Sequence, residues 1–180
     1  MIMWHNRITF KTAAAIGACV FALAGCTSRD SDESSEPMAR DVAMTNQWAS
    51  AADSGMTALF GSFTNSGRHD VRIVSGTSPI AGHVEVHEVV PDTAGGKAMQ
   101  RKEGGLVVPA GGSRELIPGG DHLMLMDLKQ PLQPGADVAV TVVFEDGSTL
   151  PVTAQVRDFA GGNENYSPGG GGNGTSHHRG

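Results

Sequence analysis

From residue 55 to residue 158 the chain is cut into short apolar runs by glycine and proline, and that punctuation limits the fold more than any other feature. "NSG", "PDTAGG", "PAGG", "PGG", "QPGAD" and "EDGS" separate the runs, and they supply the residues that tight turns need. The runs span 55–65, 70–76, 82–90, 97–102, 105–110, 113–118, 121–128, 137–146 and 148–158. None keeps apolar residues at helical spacing over three turns, so each is expected to be a strand. Short strands in that number, with such turns, predict an all-β domain built as an antiparallel sandwich or barrel.

The flanks read differently. "HNRITFK" followed by "TAAAIGACVFALAGC" gives a basic stretch and then an apolar run that ends in small residues at Cys26. That is the pattern of an export signal over 1–25, too short for a membrane span. Leu23, Ala24, Gly25 and Cys26 resemble a bacterial lipobox, in which cleavage before the cysteine leaves its sulfur carrying a diacylglyceride and tethers the protein to the membrane. An ordinary signal peptide with a chance cysteine is the competing explanation. "TSRDSDESSEP" opens an acidic, serine-rich stretch expected to be a flexible tether over 26–43, because it offers too little apolar surface to repay ordering. "GGNENYSPGGGGNGTSHHRG" marks 160–180 as a glycine-rich tail expected to be disordered. Between them, 44–159 is long enough for one domain with a single core.

Processing at Cys26 removes Cys19, and lipidation consumes the other cysteine. The mature domain then has no thiol, so any soft-metal chemistry in an oxidising compartment must use methionine and histidine. It keeps 11 basic and 19 acidic side chains, a formal charge of −8. Such a balance argues against nucleic acid.

Chemistry concentrates in "DHLMLM", residues 121–126. As a strand it puts Leu123 and Leu125 on one face and His122, Met124 and Met126 on the other. The leucines satisfy a core. An exposed stripe of one imidazole and two thioethers gains little unless something binds it, and that donor set suits Cu(I) far better than Mg²⁺ or Ca²⁺, which take oxygen. In "GHVEVHEVV", His83, Glu85 and His87 likewise share the face opposite Val84 and Val86. Both histidines are therefore expected to project away from the core, so that replacing His122 and Met124 by alanine should cost little stability. Met56 is expected in the core, and Met38 and Met44 carry no ligand context.

The segment "VEVHEVV" and the run "AMQRKEGGLVVPAGGSRELIPGGDHLMLMDLKQPLQPGADVAVTVVFEDG" closely resemble the periplasmic copper chaperones of the PCuAC type. Their hallmark is a histidine, a methionine some ten residues on, and a His-x-Met about twenty beyond that. The resemblance covers about 55–156. It implies a cupredoxin-like Greek-key β-sandwich or barrel holding one Cu(I) in a shallow, partly exposed site. Carried over by position, it places the ligands at His87, Met99, His122 and Met124. Eleven residues separate His87 from Met99 and 22 separate Met99 from His122, each gap about one longer than the family pattern. The extra residue before Met99 falls in the turn "PDTAGGK". Met126 is a spare thioether one strand step beyond Met124, and His177 and His178 are accessory candidates for Cu(II), or merely polar residues of a tail.

The export signal and lipobox predict an extracytoplasmic lipoprotein anchored to the bacterial cell membrane, and the resemblance implies that it hands copper to an apo acceptor, such as the copper subunit of cytochrome c oxidase or another copper chaperone. The alternative is a copper buffer or scavenger with no dedicated recipient. No enzyme is expected, since the serines lie mainly in turns and tails and no histidine stands in a triad setting. Blue-copper electron transfer requires a thiolate that the mature domain lacks.

Overall fold

The computed structural model describes residues 36–92 and 95–159, together with the backbone of 165–166. Apart from a 3₁₀ turn at Met38–Asp41, its regular elements are all strands. They are β1 Val42–Ser50, β2 Thr57–Asn65, β3 Val71–Thr77, β4 His83–Pro91, β5 Lys97–Arg101, β6 Leu106–Val108, β7 Ser113–Leu116, β8 His122–Met126, β9 Asp137–Phe144, β10 Thr149–Arg157 and β11 Asn165–Tyr166. Each of the runs predicted from 55 to 158 coincides with one of β2 to β10, with β3 and β4 each ending one residue beyond its run. Among the described residues no helix is long and apolar enough to cross a membrane.

The strands pair in the order β4-β8-β2-β1-β10-β9-β3, and β3 returns to β4 through Gly76 and Val84, closing a barrel. The expected all-β, cupredoxin-like architecture is present, with one departure from a purely antiparallel sheet. β1 and β10 run parallel, with Trp48 opposite Gln155, while the other pairs of the ring are antiparallel. β5 extends the sheet beyond β4, β6 pairs with β3, and β7 pairs with β2. β11 lies parallel to β5, with Tyr166 opposite Met99.

The barrel is filled as period-two alternation requires. Leu123 and Leu125 of β8, Val84 and Val86 of β4, and Leu59 and Phe63 of β2 pack inward with Ile73, Val140, Val142 and Phe144. Register fixes these contacts: Val86 faces Leu123, Val84 faces Leu125, and Leu59 faces Leu123 from the other side. A slip of one residue would turn all of them outward.

β1 is the strand that the turn signals did not delimit. Its middle, "TNQ", breaks the apolar alternation, and the structure shows why such residues sit there. The strand bulges between Thr45 and Trp48, and Asn46 takes a φ of 55°. Gly61 of β2 faces the bulge with φ +149°, and a Cβ there would lie 2.9 Å from Met44 Cε and 3.0 Å from Gln47 Cα. Only glycine fits so close an approach. Ahead of the expected boundary at 44, Met38 and Ala39 already pack against the core.

One expectation is overturned. All five residues of β8 are buried, His122 and Met124 at 2% and 3% exposure, and His87 of β4 at 0%. Alternation does put them opposite the leucines, but that face is covered rather than open. The coverings come from β1, from Pro118 and Gly119 ahead of β8, and from Phe159 after β10.

Candidate metal centre

Three adjacent strands, β5, β4 and β8, carry the predicted ligands on a single face. His87 and His122 are direct cross-strand partners, and their rings lie 5.8 Å apart between centroids at an interplanar angle of 57°. Glu85 faces Met124 on the same pair of strands. On the other side of β4, Met99 of β5 stands opposite Val89, two residues from His87 and therefore on the same face.

Met99, His122 and Met124 line one cavity of about 310 Å³, together with Met56, Phe60, Val89, Pro118 and Phe159. Small residues leave the room. Ala58 of β2 is the register partner of Met124 and also lines the space. His87 sits beside this cavity, against the His122 ring. Aromatic rings wall off one side: Phe60 lies 6.0 Å from His122 and 4.7 Å from Trp48, and Phe159 closes on Trp48 edge-on at 5.2 Å. The Arg157 guanidinium lies over the Trp48 ring, 5.7 Å from its centroid.

Hydrogen bonds fix both imidazoles. His87 Nε2 lies 2.8 Å from Glu85 Oε2, and a carboxylate acceptor requires the proton on that nitrogen, so the lone pair belongs to Nδ1. His122 Nδ1 lies 3.0 Å from the carbonyl oxygen of Gly120, which by the same argument leaves the lone pair on Nε2. Glu85 is thus the carboxylate that orients the His87 ring. It is itself held within 3.8 Å of Arg101 Nη1 and His83 Nε2.

Glu88 and Asp121 instead clamp Lys102, which bonds Glu88 and lies 3.1 Å from Asp121. The Lys102 hydrogen bond holds the Glu88 carboxyl below its usual range, against the opposing effect of burial. Burial works against the charge on Lys102, but its bonds to Glu88 and Asp121 outweigh that and raise it. The clamp joins β4 to the residue just before His122.

The remaining candidates part company. Met126 is buried at 8% exposure, faces His83 across the strands and does not line the cavity. Cys26, His177 and His178 lie outside the described residues. Met56, expected in the core, lines the cavity instead, whereas Met38 and Met44 pack against the core. Its spacing in sequence from Ala58 and Phe60, which line the same cavity from β2, was the available signal. The aromatic wall had none, because its members come from three distant parts of the chain.

Chemically the set is soft. Among the described residues no three or more His, Cys, Asp or Glu side chains gather as a metal-binding group; the donors that do gather are imidazole and thioether. Two imidazoles and two thioethers are neutral and polarisable, and they can hold a soft closed-shell cation without neutralising its charge.

Comparison with known proteins agrees with the fold. The family model described as "Putative lipoprotein LpqE-like" matches residues 42–156. The chain is 41% identical over 156 residues to "Putative lipoprotein Lxx21020" of Leifsonia xyli subsp. xyli (strain CTCB07), covering 86% of this chain and 93% of that one. The solved copper-bound PCuAC domain from PmoF2 aligns with a TM-score of 0.54 at 21% identity, over 66% of this chain and 93% of that one. The apo PCuAC domain from PmoF1 gives 0.55 at 20% identity, over 66% and 94%. At those identities the two structures speak for the fold alone, whereas the family model and the Leifsonia relative are sequence matches over most of the domain: the chain has the PCuAC fold and belongs to the LpqE-like family.

Proposed function

We propose that the protein is a membrane-tethered copper carrier that holds one Cu(I) through His87 Nδ1, Met99, His122 Nε2 and Met124. The observation that carries this reading is the meeting of two oriented imidazoles, 5.8 Å apart, with two thioethers on one face beside a cavity. A structural neighbour of the same fold is described as copper-bound. The ligands are neutral, so the site with Cu(I) carries a total charge of +1 and releases its ion readily to a thiolate-rich or otherwise stronger acceptor. Anchoring is through a lipidated Cys26 on the outer side of the cell membrane, which the lipoprotein relative supports. The recipient is an apo copper protein such as the dinuclear copper subunit of cytochrome c oxidase. His177 and His178 take Cu(II) separately, and Met126 stays outside the site.

The test uses variants that keep bulk while removing donors. Met124→Leu with His122→Gln is expected to abolish tight Cu(I) binding in competition with a chromogenic chelator, and unchanged affinity would rule the ligand set out. Burial of His87 and His122 favours a second reading, a buffer that retains copper without a dedicated recipient. Mixing the Cu(I)-loaded protein with an isolated apo oxidase copper domain separates the two: transfer supports the carrier, retention the buffer.

A further inference from the structure

We propose that Met56 is a third thioether of the copper cavity, which binds Cu(I) transiently as the ion passes between solvent and the buried site. The inference rests on the Cu(I) reading above and adds to it a residue and a step.

Met56 lines the cavity together with Met99, His122 and Met124. It immediately precedes β2 and shares the cavity lining with Ala58, the register partner of Met124, and Phe60, the neighbour of the His122 ring. Packing does not account for it. Met38 and Met44 are likewise half-buried but rest against the hydrophobic core, whereas among the described residues Met56 is not part of that cluster.

Its backbone is pinned on both sides. Gly55 adopts φ +77° and its carbonyl accepts the Leu128 N–H at 2.9 Å, while Thr57 Oγ1 donates to the Ser50 carbonyl at 2.6 Å. The conformational freedom left to the residue lies in its side chain, which has three rotatable bonds and a polarisable sulfur at its end.

Exposure orders the soft donors. Met56 and Met99 are half-buried, whereas Met124, His122 and His87 are buried. An ion entering along this gradient meets thioethers first and imidazoles last. Cu(I) accepts low and variable coordination numbers, so a bond to the Met56 sulfur can form as the bond to an outside donor breaks, and can break in turn as deeper ligands bind. No electron moves and no proton is required.

A ligand used only in transit changes rates more than equilibria. The full mature protein carrying ¹³C-methyl methionine is titrated with Cu(I) under anaerobic conditions, with Met56 assigned from the resonance lost in Met56→Leu. The methyl signals of Met56, Met99 and Met124 are expected to move or broaden, and those of Met38 and Met44 to stay in place. In stopped-flow transfer to a chelator, Met56→Leu is expected to slow Cu(I) release by about fivefold or more while changing equilibrium affinity by less than about twofold. A stationary Met56 signal alongside shifted Met99 and Met124 signals would overturn this proposal and leave the four-ligand site standing, as would an unchanged release rate. If no methionine signal responds, the copper reading itself fails and Met56 falls with it.

Discussion

Met124 serves two purposes at once, because a side chain at 3% exposure fills volume whether or not its sulfur binds anything. Met124→Ala should therefore destabilise the copper-free protein by about 2–5 kcal/mol, the range for emptying a buried methionine site. Met124→Leu, similar in volume, should cost less than about 1.5 kcal/mol. Urea unfolding of both variants checks this. Equal, small losses would mean that the outer face of β8 is loosely covered. The same pair shows how far residue-level reading reaches. Alternation in "HLMLM" and "HVEVH" correctly groups His122 with Met124 and His83 with Glu85 and His87, because strand parity is local. Burial is not local. The rings and turns that close over His122 belong to residues 48, 60, 118–119 and 159, and no pattern within β8 encodes them.

Turns are where the elements were most legible, and the β9–β10 hairpin shows the reason. "EDGS" places Gly147 at φ +80°, a left-handed position that suits glycine. Asp146 binds the residues around it: Oδ1 accepts the Ser148 N–H at 2.9 Å and the Ser148 hydroxyl at 2.6 Å, while Oδ2 accepts the Met38 N–H at 2.7 Å. Partial burial pushes the Asp146 carboxyl up, but the bonds from Ser148 and Met38 outweigh it and hold the group below its usual value. A carboxylate lowered in the fold contributes stability that is complete above the ordinary value of about 3.9 and is lost as the pH falls through the lower folded value. Asp146→Asn should thus reduce stability by about 1 kcal/mol or less at pH 7, given the exposure of the turn. The gap between variant and wild type should narrow as the pH drops below about 4. Urea midpoints at pH 7 and pH 3 measure it, and a gap that widened in acid would contradict the sign. β1 was hidden for the opposite reason: its bulge at Thr45 to Trp48 suits the local geometry of the barrel but breaks the two-residue period by which strands are recognised.

At the scale of the whole molecule, the described part of the glycine-rich end, β11, pairs beside the candidate site. β11 lies within the segment expected to be a disordered tail, yet Asn165 and Tyr166 pair with Ala98 and Met99, so the outer edge of β5 is covered at Met99, one of the proposed ligands. Two truncations separate this edge from the terminal histidines. Removing 167–180 deletes His177 and His178 but spares β11, and removing 160–180 deletes both. Cu(II) prefers imidazole and is poorly served by thioethers, so both truncations should weaken Cu(II) binding under aerobic conditions. Only the longer one uncovers β5. Amide exchange at Ala98, Met99 and Gln100 should then quicken in the 160–180 deletion and not in the 167–180 deletion, because an edge strand that loses its neighbour opens more readily. Cu(I) stoichiometry should remain at one in both, since His87, Met99, His122 and Met124 all precede the cuts. Loss of Cu(I) in the shorter deletion would place a terminal histidine among the ligands. Loss in the longer deletion alone would mean that β11 holds Met99 in position for the ion.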